Sequence, residues 1–308
     1  MAKGSGEYWG DKRLKQADEA DGFTGYNIAA LSSPVLVSVP HAGRDYPDII
    51  FSNLRLPRAA LLRLEDRYAD LLVRNVVRAE SPVIVAHRAR AWIDLNRDET
   101  DIDVDMVRGA DRADYPQPSA KQRGGLGLIP RRLSGDGDLW KRPFETADIE
   151  HRIASFHRPY HAQIADILAR IRAKFGVAIL LDLHSMPPIR QPQAGGAQPG
   201  KAPQFVVGDR FGQSAASQYA ELLNGQIRLR GFRSALNHPY AGEYILRRHA
   251  RPKTNIHAIQ LEVDRSLYLD SAVREPGAGL ASIQTLVGDL VYALADQALG
   301  KATLIAAE

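Results

Sequence analysis

The chain has 308 residues, 44% of them hydrophobic, and 40 Lys and Arg against 36 Asp and Glu leave a net charge of +4. This length can bury a large core and suits one big α/β domain, while basic residues scattered among acidic ones argue against a nucleic-acid partner. Cysteine is absent, which removes disulfides, thiolate metal sites and Cys nucleophiles, so any metal must be held by carboxylates and by the nine His. No apolar run reaches the ~18 to 20 residues that span a bilayer, and Met1 to Gly25 lacks the apolar centre of a signal peptide. A soluble, cytoplasmic protein with no membrane partner is expected.

Met1 to Asn27 is polar, carries five glycines and shows no sustained period, so it reads as a flexible leader before a single domain over 28–308. Pro34 to Val39 is a β-branched strand that delivers Pro40-His41-Ala42-Gly43. Pro57 to Ala79 has helical spacing of its leucines, with Glu65, Asp66 and Asp70 interposed; the plain reading of those acids is a solvated face balanced by Arg63, Arg67 and Arg74. Val83 to Ala86 reads as a strand, and Ala91 to Arg97 as another that ends in Asn96-Arg97 after Arg88 and Arg90. An Arg fork beside an Asn amide suits a carboxylate. The competing reading is a surface pair of Arg97 with Asp94 or Asp98, worth little.

Asp98 to Pro143 is rich in Asp, Gly, Arg and Pro without a period, the pattern of a long functional loop. Its Gly124 to Arg131 segment lacks the Gly-Lys-Ser/Thr of a phosphate loop. Thr146 to Lys174 spaces Ile, Phe, Tyr and Leu by three and four, a helix with Pro159 marking a kink or break. The apolar run Val177 to Leu183, bounded by Gly176 and Pro187-Pro188, reads as a strand buried on both faces that ends in Asp182-Leu183-His184-Ser185. His184 is a candidate ligand or base, set against a capping Asp and a hydrogen-bonded His at a strand exit.

Pro187 to Pro203 is a Pro/Gly/Gln-rich rim. Phe205 to Asp209 is a short strand, Ser214 to Arg228 a helix, and Asn237 to Ile245 a turn-rich stretch with two Tyr. Ala258 to Arg265 alternates, placing Gln260, Glu262 and Asp264 on one face and Ile259, Leu261 and Val263 on the other. Pro276 to Ala298 closes the chain as an amphipathic helix.

Strand ends of open α/β sheets present side chains for chemistry, and here they carry His41, Asn96-Arg97, His184 and Glu262. Two His plus a carboxylate form the ligand set of a hydrolytic zinc site with a position open for water. A separate Glu beside that water is the general base such enzymes need.

In the order Val37 to Gly43, Asp66 to Asp70, Arg90 with Asp94 to Arg97, Gly125 to Arg131, Arg158 to His161, Asp182 to Met186, Pro239 to Gly242 and Gln260 to Tyr268, the chain resembles the N-formylglutamate amidohydrolases. These are zinc-dependent deformylases related to zinc carboxypeptidases and aspartoacylase. The resemblance implies an α/β fold, a three-layer α/β/α domain with a mixed, mostly parallel sheet of the zinc-carboxypeptidase-like, phosphorylase/hydrolase-like kind. It implies Zn2+ held by His41 and His184, Glu262 as base, and Arg90, Asn96 and Arg97 on carbonyl and carboxylate oxygens, with Tyr240 on the substrate wall. The residue three after His41 is Arg44 rather than the Glu of carboxypeptidases. The acidic ligand must therefore come from elsewhere: Asp66 matches an acidic position of the deformylase pattern, with Glu65 and Asp45 as alternatives. Glu243 stands where relatives often show a second Gly, which bears on substrate identity. The expected partner is a small N-acyl amino acid, in amino-acid metabolism of the histidine-degradation kind. The rivals are a zinc hydrolase acting on another N-acyl amino acid or short peptide, and a non-catalytic carboxylate-binding module.

Overall fold

An eight-stranded sheet runs through the centre of the protein in the order β1-β2-β4-β3-β5-β8-β6-β7. Its strands are β1 (Ala17–Ala20), β2 (Phe23–Tyr26), β3 (Val35–Val39), β4 (Val83–Ala86), β5 (Ala178–Met186), β6 (Phe205–Gly208), β7 (Ser234–Leu236) and β8 (Ile256–Asp264). β3 lies parallel to β4 and β5, β5 to β8, and β6 to β7; the pairs β1–β2, β2–β4 and β6–β8 are antiparallel. The computed structural model describes residues 17–20, 22–189 and 202–300.

Helices cover both faces, which is why β3 and β5 are apolar on both sides for most of their length. Val35, Val37 and Val39 join Ile179, Leu181, Leu183, Ile259, Leu261 and Val263 in one core. That core is closed by α1 (Ala69–Leu72), α2 (Arg74–Arg78), α4 (Ser217–Leu229) and α6 (Leu280–Ala298). The alternate residues Leu36, Leu180 and Ala258 face α3 (Arg158–Phe175) and α5 (Tyr244–His249) in a second core. The architecture is therefore α/β/α with a mixed, mostly parallel sheet. Among the described residues no helix is long and apolar enough to cross a membrane.

Four local expectations change. The segment read as a leader contributes β1 and β2, which extend the sheet beyond β4; its residues 1–16 and 21 lie outside the described residues, as do 190–201 of the rim. The helix expected over Pro57 to Ala79 is broken into a 3-10 turn, Arg58–Arg63, and the short α1 and α2, with Tyr68 at φ 57° in the break. Glu65 and Asp66 are buried there, so the acids interposed in the pattern mark an interruption and not a solvated face. Ala91 to Arg97 is no strand: it is a turn whose Trp92, Ile93 and Leu95 pack into the α3-side core, and Asp94 N donates to Leu128 O at 2.7 Å. Thr146 to Phe175 is continuously helical through a π turn, Ile153–His157, which takes up the irregularity ahead of Pro159.

Candidate metal and catalytic site

Toward the C-terminal ends of β3, β5 and β8 the α3-side face of the sheet turns from apolar to polar. Ser38, Asp182 and Gln260 form one row across the three strands, and His184 and Glu262 are paired in the next. The period of two that puts Leu180 and Ala258 in the core thus puts these polar groups on the same face, one and two steps further on. His41 lies just past β3. Gly43 follows because the chain there runs against the backbone after β4: a Cβ would stand 2.1 Å from Arg88 O.

His41, Asp66 and His184 are buried together, with one potential ligand atom from each all within 4.8 Å of one another. Asp66 Oδ2 is 3.0 Å from His184 Nδ1 and 3.7 Å from His41 Nδ1. The other ring nitrogens are occupied: His41 Nε2 donates to Asp94 Oδ1 at 2.6 Å, and His184 Nε2 to Asp182 Oδ2 at 2.8 Å. With Nε2 donating in both rings, neutral imidazoles turn lone pairs toward Asp66, an arrangement that repels unless a cation lies among them. Burial works against a charged His184, but Asp182 and Asp66 lift it well above its ordinary value. Burial likewise opposes ionisation of Asp66, yet the bond to His184 and the nearby His41 hold its carboxyl well below the usual range. The donor set fits a divalent ion, because tetrahedral N and O ligands at 2.0–2.1 Å stand about 3.3 Å apart, between the two separations observed. Histidines whose second nitrogen donates to a carboxylate are the usual form of such sites. Of the acidic candidates, Asp66 is in the cluster. Glu65 instead accepts from Tyr46 at 2.6 Å and Arg67 at 2.9 Å, and Asp45 pairs with Arg88 at 2.6 Å.

Glu262 lies beside His184 on the neighbouring strand and accepts from Gln260 Nε2 at 2.9 Å. Burial pushes its carboxyl up to about 7, against the opposing charge of His184. Arg90 donates from Nε to Asp94 Oδ2 at 2.8 Å, with its side chain 18% exposed and its terminal nitrogens without a hydrogen bond among the described residues. Asp94, close to Arg90 and His41, is held well below the usual carboxylate range although burial opposes this. Asn96 accepts from Ile245 N at 2.8 Å through Oδ1 and turns Nδ2 to within 3.3 Å of His184 Nε2. Arg97 is buried, giving Nε to Leu126 O at 2.8 Å and Nη1 to Asn96 O at 2.6 Å, while Nη2 has no hydrogen bond among the described residues. Tyr240 is half-buried, and burial with the Glu262 charge raises its hydroxyl.

Several residues of the site carry no sequence-derived role. Asp182 accepts from Ser38 Oγ at 3.0 Å, and Ser38 in turn meets Tyr160 Oη of α3 at 2.9 Å. The signal for Asp182 was its spacing of two from His184 on a strand. Asp94, which the competing reading pairs with Arg97 at the surface, is instead the buried group behind His41. Arg265, immediately after β8, donates to both Asp66 and Ser185; only its place at a strand end pointed to it.

Residues 33–269 match the model of the N-formylglutamate amidohydrolase family. N-formylglutamate deformylase of Pseudomonas putida is 32% identical over 238 residues, which cover 77% of this chain and 82% of that protein. The Pseudomonas aeruginosa deformylase is 28% identical over 240 residues, with the same 77% and 82% covered. The crystal structure of N-formylglutamate amidohydrolase from Ralstonia eutropha JMP134 superposes with a TM-score of 0.81 at 28% identity, covering 91% of this chain and 99% of that one. The chain belongs to the N-formylglutamate amidohydrolase family.

Proposed function

We propose that the protein is a zinc-dependent amide hydrolase that removes the N-formyl group from N-formyl-L-glutamate, giving formate and glutamate. The observation that carries this reading is the juxtaposition of a buried His–Asp–His cluster with Glu262, on neighbouring strands and in register. The activities named for the two Pseudomonas relatives support the substrate.

His41, Asp66 and His184 would hold Zn2+, which when bound would supply a Lewis acid that acidifies water and polarises a carbonyl. Glu262, raised to about 7, is suited to take a proton from the attacking water and return it to the leaving amine near neutral pH. Gln260, donating to one oxygen of Glu262, holds the carboxylate in place while the proton moves. Arg90, anchored on Asp94 through Nε, directs its terminal nitrogens to the oxygen that gathers negative charge when the formyl carbon becomes tetrahedral. Arg97 Nη2, with Asn96 beside it and Tyr240 as a wall, holds the amino-acid carboxylate and so positions the scissile amide. Asp94 and Asp182 keep the two imidazoles in one tautomer and one orientation.

The test is formate release from N-formyl-L-glutamate beside N-formyl-L-aspartate and N-acetyl-L-glutamate. Preference for the first is expected. Fastest turnover of the acetyl compound would assign the site to another N-acyl amino acid.

A further inference from the structure

We propose that Arg265 is a positioning residue for the metal centre: it ties down one oxygen of Asp66 so that only the other faces His41 and His184. The proposal rests on the reading of those three residues as metal ligands.

Arg265 leaves the end of β8 and opens a 3-10 turn, Arg265–Leu267, capped by Asp264, whose Oδ1 accepts from Ser266 N at 2.8 Å. Its side chain is 11% exposed, with the guanidinium turned inward onto Asp66 and Ser185. Nε donates to Ser185 Oγ at 2.9 Å, and Nη2 donates to Asp66 Oδ1 at 3.0 Å and Ser185 O at 3.3 Å. Ser185 is the residue after His184, and Asp66 N donates to His41 O at 2.9 Å. One planar group thus joins the end of β8, the ligand-bearing end of β5 and the helix break that carries the acidic ligand.

A carboxylate with both oxygens loose can grip an ion through one or both. Because Arg265 occupies Oδ1, the atom left for the ion is Oδ2, the one 3.0 Å from His184 Nδ1 and 3.7 Å from His41 Nδ1. A shielded, charge-assisted bond of this kind fixes direction as well as charge. Lysine has no rigid fork that could hold Ser185 and Asp66 in the same geometry.

The experiment uses the full chain with Arg265→Met, Arg265→Lys and Ser185→Ala. Zinc affinity is read by competition with a chelator, the visible spectrum is read on the Co2+-substituted protein, and KM is read for N-formyl-L-glutamate. Arg265→Met should weaken zinc by about 10- to 100-fold, the range for lost partners of metal ligands. Its Co2+ bands should change in intensity as Asp66 gains a second free oxygen. Arg265→Lys should recover part of the affinity, and Ser185→Ala should show a smaller loss; these two read the same quantities if Arg265→Met does not fold. Zinc affinity and Co2+ spectra like those of the wild type, with KM raised, would make Arg265 a substrate contact and overturn the proposal. Variants unchanged in all three readouts would overturn it as well. If the wild type binds neither ion, the metal reading itself falls, and this proposal with it.

Discussion

Asp182 and His184 stand two residues apart on β5, and their side chains meet on the α3-side face of the sheet with Oδ2 and Nε2 2.8 Å apart. The pair continues outward through Ser38 to Tyr160 on α3 and inward through His184 Nδ1 to Asp66, so a helix of the outer layer is hydrogen-bonded, link by link, to the His–Asp–His cluster. Asp182→Asn keeps an acceptor and the shape of the side chain but removes the negative charge beside His184, the proposed ligand. Zinc affinity should fall by roughly 10- to 100-fold. Chelator competition measures this, and affinity equal to that of the wild type would remove Asp182 from the metal centre.

Glu262 and Asp66 are both buried carboxylates, and their amide variants should fail differently. Glu262→Gln should retain zinc and bind substrate while turnover falls by about 100-fold or more, the scale of a positioned acid or base. Asp66→Asn should shed zinc, because an amide oxygen lacks the ligand charge. Bound metal, substrate affinity and turnover measured on both variants separate the roles. Loss of zinc from Glu262→Gln with zinc retained by an active Asp66→Asn would exchange them.

Arg97 serves two backbone carbonyls, so Arg97→Lys loses packing bonds as well as the terminal nitrogen assigned to substrate. A cost of about 1 to 3 kcal/mol in transition-state binding is expected for N-formyl-L-glutamate. That cost should shrink for an analogue in which the α-carboxylate is an amide. An equal cost on both substrates would make Arg97 a support of the Leu95–Arg97 turn only.

Behind that turn, His161 Nε2 donates to Leu95 O at 2.9 Å and accepts through Nδ1 from His249 Nε2 at 2.9 Å, an arrangement that needs a neutral His161. Burial, helped by Arg248, holds His249 down to about 3, and burial keeps His161 well below its ordinary value. In the unfolded chain both titrate near about 6.5. The unfolded state therefore binds more protons between those limits. The stability these groups provide is complete above about pH 6.5 and declines as pH falls toward 3, by up to about 1.4 kcal/mol per pH unit for each group. His249→Gln keeps a donor without a titration. Its urea midpoint, compared with that of the wild type at pH 7 and pH 5, should fall less over the interval. Parallel declines would show that His249 is not what loses stability.

Much of the site was legible because strands impose a period of two. The apolar runs that make β3, β5 and β8 fix where His41, His184 and Glu262 emerge, and the structure brings all three to one end of the sheet. What the pattern could not give were features made by contacts between distant segments. The helical spacing around Asp66 is genuine, yet Tyr46 and Arg67 on Glu65, and Arg44 on Asp70, hold that stretch in a broken form. The strand read over Ala91 to Arg97 likewise gives way to a turn fixed by Leu128 O, His157 and His161, which takes Asn96 to His184. Phe23 to Tyr26 is too short and polar to announce a strand; its pairing with β4 supplies what its composition does not.

The most direct test of metal-assisted deformylation at this cluster is formate release from N-formyl-L-glutamate by chelator-stripped protein, before and after zinc is returned. Stripped protein should be inactive, and about one zinc per chain should restore full turnover. Full activity in the stripped protein, or no formate from the zinc-loaded protein, would contradict the account.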